Sequence, residues 1–144
     1  MTIYVDNNIS YRLARALDHL SSGLTRKLGY SIDIQALRDS EFGHDAPDET
    51  WIPVVGQRGD WMFTQDVNIR RMAQQRALLE AYGTNVIFLQ SSNATAGYWR
   101  MVQRTVTAWP AVIELITQGA GQRGQSIEID LRDRVSLMNG RDST

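Results

Sequence analysis

The chain is 144 residues long, 42% hydrophobic and 22% charged, the size and balance of one ordinary globular domain and not of a disordered, collagen-like or coiled-coil chain. It has no cysteine, which removes disulfide scaffolds, cysteine-ligated zinc, iron–sulfur clusters and thiol catalysis. Fifteen basic against sixteen acidic residues leave a net charge of −1, which argues against a broad basic surface for unspecific duplex binding. Lys27 is the only lysine, so a Walker A loop or Schiff-base chemistry has almost no material. No apolar run reaches the ~20 residues of a membrane span. The opening MTIYVDNN lacks a basic n-region and an apolar h-region, and the expectation is a soluble, cytoplasmic protein.

Ile3, Tyr4 and Val5 stop at Asp6-Asn7-Asn8, the pattern of a buried strand and a polar turn. Ile9, Leu13, Ala16, Leu17, Leu20 and Leu24 then follow the period of a helix that Gly29 stops. Ile32, Ile34 and Leu37 mark a second short strand, and residues 38–46 a polar surface loop. Pro47 fits the first turn of a short helix with Trp51, Ile52, Val54 and Val55 inside, and Pro53 should shorten or bend it. Trp61-Met62-Phe63-Thr64 repeats the strand and again ends in an acid, Asp66. One helix through Ile69, Met72, Ala73, Ala77 and Leu79 should follow, stopped by Gly83.

Residues 85–89 are almost wholly apolar, as in a parallel strand covered on both faces. Trp99, Val102, Val106, Trp109, Ile113 and Ile116 step along a long helix that Pro110 should kink or divide. Gly119, Gly121 and Gly124 read as a linker, and residues 126–131 alternate as a half-exposed edge strand or hairpin arm. From Asn139 a frayed tail is expected. The expected organisation is one domain over 1–144, with a core of about 2–117 and a C-terminal extension at 118–144.

Strands alternating with helices imply a three-layer α/β sheet, and such sheets bind ligands outside the carboxyl ends of their strands. Asp6 and Asp66 fall at such ends. If those strands are neighbours, both carboxylates face one crevice, with Asp48 or Glu49 reaching it from the start of the short helix. Clustered oxygen ligands favour a hard ion such as Mg²⁺ or Mn²⁺, and a Mg²⁺-held water points to hydrolysis of a phosphate ester. Arg70 and Arg71, with Arg12 and Arg15, are candidates for neighbouring phosphates, and Asn7 or Asn8 for orienting Asp6. The plainer reading is that these acids cap helices or suit a first turn. His19 and His44 read as surface residues, Trp99 and Trp109 as core, and Trp51 and Trp61 as residues that could face the crevice and stack a base.

The segments YVDNNISYRLARAL, APDETWIP and MFTQDVNIRRMAQQRALLEA, in that order and spacing, resemble the PIN-like domain family of VapC-type toxins over roughly residues 2–117. The Asp-Asn-Asn at residues 6–8 is similar to the family's opening motif, and Thr64 to Ile69 to its Thr-x-Asp-x-x-Ile element. The resemblance implies a three-layer α/β/α sandwich with a mostly parallel central sheet. It implies a Mg²⁺-dependent endoribonuclease toxin, held inactive by a cognate antitoxin; the strand at 126–131 and the helix containing Trp99 offer surfaces for a homodimer or for a hetero-oligomer with that antitoxin. Its catalytic and metal-binding acids carry over to Asp6, Asp66 and Asp48, with Glu49 as an alternative third ligand and Thr64 beside them; Arg12, Arg70 and Arg71 would hold RNA. For a fourth acid the chain offers Asp60 before the second acidic strand, while Ser91, Ser92 and Asn93 stand beyond Leu89. The rivals are a receiver domain, which wants a late lysine, a haloacid-dehalogenase-type phosphatase, which wants an acid where Asn8 stands, and a binding module without catalysis.

Overall fold

In the computed structural model, which describes residues 1–66, 68–91 and 97–138 and of Arg70 only the backbone, the first apolar run is the strand β1 (Thr2–Val5). The residues called a tail from Asn139, and Ser92 and Asn93, lie outside the described residues. Helix α1 (Tyr11–Leu28) starts on Ser10, whose hydroxyl accepts the Arg12 amide, and stops on Gly29 in the left-handed conformation at φ 76°. Its inner face is Leu13, Ala14, Leu17, Ser21 and Thr25, while Leu20 points to solvent. After β2 (Asp33–Ala36) a single 3₁₀ turn holds Leu37–Asp39. Helix α2 (Asp48–Arg58) follows Pro47 and carries Pro53 inside it. Then come β3 (Trp61–Thr64), α3 (Asn68–Arg71), α4 (Ala73–Tyr82), β4 (Asn85–Leu89), α5 (Tyr98–Gln118), β5 (Ser126–Ile129) and β6 (Val135–Met138).

The six strands form one sheet in the order β2-β1-β3-β4-β5-β6, parallel throughout except for the antiparallel β5–β6 pair. Ile3, Val5 and Phe63 face a core shared with α1 and α5. Tyr4 and Met62, one residue out of phase, face a second core under α2, α3 and α4 with Trp51, Ile52 and Ile69. This is the expected α/β/α sandwich. Trp109 ties the first layer together: its indole N–H donates to the Ser21 hydroxyl of α1 at 2.9 Å, and its ring lies 5.4 Å from Phe63 of the sheet.

Several expectations are corrected. The helix after Asp66 is two helices, because the backbone extends at exposed Met72 (ψ 125°) and only then brings Leu78 and Leu79 to the core that Ile69 already fills. Pro110 does not divide α5, since it lies on the exposed side and the carbonyl of Val106 that it leaves unpaired belongs to a solvent-facing residue. Trp99 is 76% exposed, not core, its ring set edge-on against that of its exposed neighbour Tyr98. Trp51 and Trp61 are fully buried and offer no face for a base. The strand at 126–129 is a hairpin arm and not an edge, because β6 covers it. Asp60 precedes β3, at the end of the sheet opposite Asp6, where its carboxylate accepts the Thr2 amide at 2.8 Å.

Candidate active site

The strand order reverses direction between β1 and β3: the chain winds from β1 to β2 on one side, then crosses back to β3, β4 and β5 on the other. In open α/β sheets the loops that leave two central strands part at such a point, and ligands sit there, outside the carboxyl ends of the strands. The register places Val5 beside Phe63, and the Asp6 amide continues the ladder by donating to the Phe63 carbonyl at 2.9 Å. Asp6 therefore stands next to Thr64, with Asp66 two residues beyond.

The Thr64 side chain joins the two acids. Wholly buried, its hydroxyl donates to Asp6 Oδ2 at 2.8 Å and accepts the Asp66 amide at 3.0 Å and the Asn8 side-chain amide at 3.3 Å. One donor and two acceptors exhaust what a hydroxyl has. The other Asp6 oxygen accepts the Asn7 amide at 2.8 Å, and Asp66 accepts the Asn68 amide at 2.9 Å at the start of α3. Asn8 braces the two loops, its Oδ1 accepting the Gln65 amide at 3.3 Å and its carbonyl accepting the Gln65 side chain. Gln65 also reaches Met101 Sδ at 3.7 Å, linking this loop to the first turn of α5. The Asn7 side chain donates to the His44 carbonyl, tying down the loop before α2.

Asp48 opens α2, and the Trp51 indole N–H, one turn on, donates to its Oδ1 at 3.1 Å. Burial raises the Asp48 pKa first, and the charges of Asp6, Asp66 and Glu49 add to it, against the Trp51 hydrogen bond. Asp6 is likewise raised, by burial first and by the Asp66 charge, against the hydrogen bonds from Thr64 and Asn7. The three aspartates thus lie in one another's field. Among the described residues no group of three or more His, Cys, Asp or Glu side chains is disposed to hold one metal ion. The contacts instead join Asp6 and Asp66 as a pair, whose charges act on Asp48.

Of the sequence candidates, Asn7 and Thr64 hydrogen-bond directly to the pair, Asn8 reaches it only through Thr64, and Glu49 is exposed. Arg12 and Arg71 are exposed on α1 and α3, and the Arg70 side chain lies outside the described residues. Gln65 was not among the candidates, since a loop glutamine carries no signature of its own, and Trp51 was one only as a face for stacking a base, not as the hydrogen-bond donor to Asp48. His19 and His44 are exposed. Among the described residues no helix is long and apolar enough to cross a membrane.

Residues 1–91 match the family model of the PIN-like domain. No match was found among curated proteins or among solved structures.

Proposed function

The chain belongs to the PIN-like domain family, and from that membership we propose that it is a Mg²⁺-dependent endoribonuclease, Mn²⁺ being the alternative ion, whose reacting centre is the Asp6–Asp66 pair. The observation that carries this is the coupling of the two acids through the Thr64 hydroxyl, with the Asp6 pKa lifted by its burial and its neighbour's charge. Two acids held at one sheet end and repelling one another suit a cation between them. The residues fit the ion in kind: the donors are all carboxylate oxygens, and a Mg²⁺ that keeps several waters needs only one or two of them. Bound there, Mg²⁺ supplies an activated water and offsets the charge that develops on phosphorus and the leaving oxygen.

The protein's own groups do the positioning. Thr64 and the Asn7 amide favour the ionised form of Asp6 that a cation requires, and the Asn68 amide fixes Asp66. Asp48, held by the Trp51 indole, adds negative field and a further acceptor for a metal-held water. Arg12 and Arg71, with Arg70, are assigned to the phosphates on either side of the cleaved bond. The biological setting we assign is the toxin of a toxin–antitoxin pair, whose antitoxin covers this crevice.

Cleavage of a labelled single-stranded RNA, followed with Mg²⁺ and with EDTA, tests the reading. Asp6→Asn and Asp66→Asn should each abolish Mg²⁺-dependent cleavage while the fold persists, and millimolar Mg²⁺ should raise the melting temperature of the wild type only. Unaltered cleavage in both variants, or no cleavage and no Mg²⁺-dependent shift in the wild type, overturns it. An adjacent reading frame whose product co-purifies with this chain and blocks cleavage tests the toxin assignment separately.

A further inference from the structure

Beside the acid pair, on the β2 side of the same sheet end, cations gather around one ring. Tyr11, Arg12 and Arg15 lie in the first turns of α1, and the 3₁₀ turn after β2 brings Arg38 to them. The three guanidinium carbons lie 5.0, 4.8 and 4.2 Å from the Tyr11 ring centroid, for Arg12, Arg15 and Arg38 in turn. Only Arg15 is hydrogen-bonded to a carboxylate, Asp39, in a two-point contact of 3.1 and 3.0 Å, while Arg38 acts on Asp39 through its charge alone. Among the described residues neither Arg12 nor Arg38 makes an ion pair, and both are exposed.

Folding alone gives no reason for this arrangement. The first turn of α1 contains no acid to offset the positive end of its dipole, and Arg12 adds positive charge where stability favours an acid. The ring's negative faces offset part of the repulsion among the guanidinium groups and hold them in a fan. Three cations against one carboxylate leave an excess that an anion can occupy. Two unmatched planar forks at one helix N-terminus suit a phosphate, with Tyr11 as the support that keeps them apart and aimed.

The geometry points to Arg12 and Arg38, organised by Tyr11, as a site for a backbone phosphate of a single nucleic-acid strand that runs on from the Asp6–Asp66 crevice across the end of β2. This rests on the nuclease reading for the identity of the strand, but not for its test. The probe is a fluorescein-labelled, mixed-sequence single-stranded RNA of about twelve nucleotides, bound by the wild-type chain in EDTA, where no cleavage intrudes. Arg12→Ala and Arg38→Ala should each weaken binding about tenfold and each lower the slope of log affinity against log salt by roughly 0.7, the share of one phosphate contact on a single strand. Tyr11→Phe should bind as the wild type, whereas Tyr11→Leu should weaken binding with the salt slope almost unchanged, because the charges stay and only their aim is lost.

RNA binding that neither arginine variant alters overturns the site, even if Mg²⁺-dependent cleavage is intact. Inorganic phosphate that binds the wild type, is lost in both variants and leaves RNA affinity untouched also overturns it, in favour of a free-anion site. Arginine-dependent binding without cleavage under any metal supports the phosphate site and refutes the nuclease reading, so the two fail separately.

Discussion

Thr64→Val removes one hydroxyl from the point where the two loops meet and keeps the side chain's shape. The residue is wholly buried, so its lost contacts must be counted as bonds without easy replacement by water. The 2.8 Å bond to Asp6 goes to a charged acceptor and contributes about 1.5–3 kcal/mol; the 3.0 Å bond from the Asp66 amide contributes about 0.5–1.5 kcal/mol. The 3.3 Å contact from exposed Asn8 adds little. A loss of about 2–4 kcal/mol at pH 7 lowers the urea midpoint by roughly 1–2 M. The same bond favours ionised Asp6, so its removal raises the Asp6 pKa further, and the penalty should shrink as pH falls and Asp6 takes up its proton. Urea unfolding at pH 7 and pH 4, with Asp6 titrated by carboxyl-carbon NMR, reads both effects. Thr64→Ser, which keeps the hydroxyl and loses one methyl, should restore the Asp6 titration and most of the stability. A valine variant with wild-type midpoint and unmoved Asp6 titration would refute the role given to this hydroxyl.

Asp6→Asn should make the metal-free protein more stable at neutral pH. The folded pKa of Asp6 stands above its ordinary 3.8, so the native state gains from that group below pH 3.8 and loses the gain as pH rises through the folded value; melting curves from pH 3.5 to 7 should show the asparagine variant's advantage appear over that window and persist above it. Asp66→Asn should lower the pKa of both Asp6 and Asp48, since its charge raises each, and NMR titration of the two carboxyls checks this. Gly56→Ala should destabilise by about 1–3 kcal/mol, because a Cβ there meets the Tyr82 carbonyl at 2.6 Å and also the Thr84 hydroxyl that bonds to Ile52; chemical denaturation measures the loss. Ser21→Ala leaves the buried Trp109 indole N–H without its acceptor and should cost about 1–3 kcal/mol, with a shifted tryptophan emission maximum.

The parallel strands were legible because each is a short apolar run closed by polar or glycine punctuation. Residues 3–5, 61–64 and 85–89 became β1, β3 and β4 almost to the residue. The failures share a cause, in that tertiary placement overrode a local pattern. Trp99 keeps the helical step of Trp109 but is 76% exposed, so periodicity counted inward a residue that the fold leaves largely in solvent. Strand β6 has no alternation to announce it, with Leu137 46% exposed. It is held by its turn: Asp133 adopts a left-handed φ of 63°, and buried Arg104 of α5 binds its carboxylate at 2.7 Å and the Asp130 carbonyl at 2.8 Å. A non-glycine residue in that conformation and a helical arginine 29 positions away leave no mark that a local reading detects.

The site divides in the same way. Two acids following two strands of one type could be read directly, because parallel neighbours in register bring their carboxyl ends together whatever the intervening chain does. What the sequence could not rank was the third acid, for Asp48 and Glu49 are adjacent and both suit a helix start. The fold ranks them through an indole: one turn along α2, Trp51 is buried on the sheet side and its N–H needs an acceptor. Asp48, three residues earlier, is on the same face as Trp51 and supplies it, while Glu49, one step round the helix, is left in solvent. The tryptophan expected to stack a base thus acts from the core, fixing the aspartate that feels both members of the pair. Trp51→Phe should therefore leave the hydrophobic layer nearly intact and raise the Asp48 pKa, since the bond that lowers it is gone; an Asp48 titration unmoved in that variant would return Asp48 and Glu49 to equal standing.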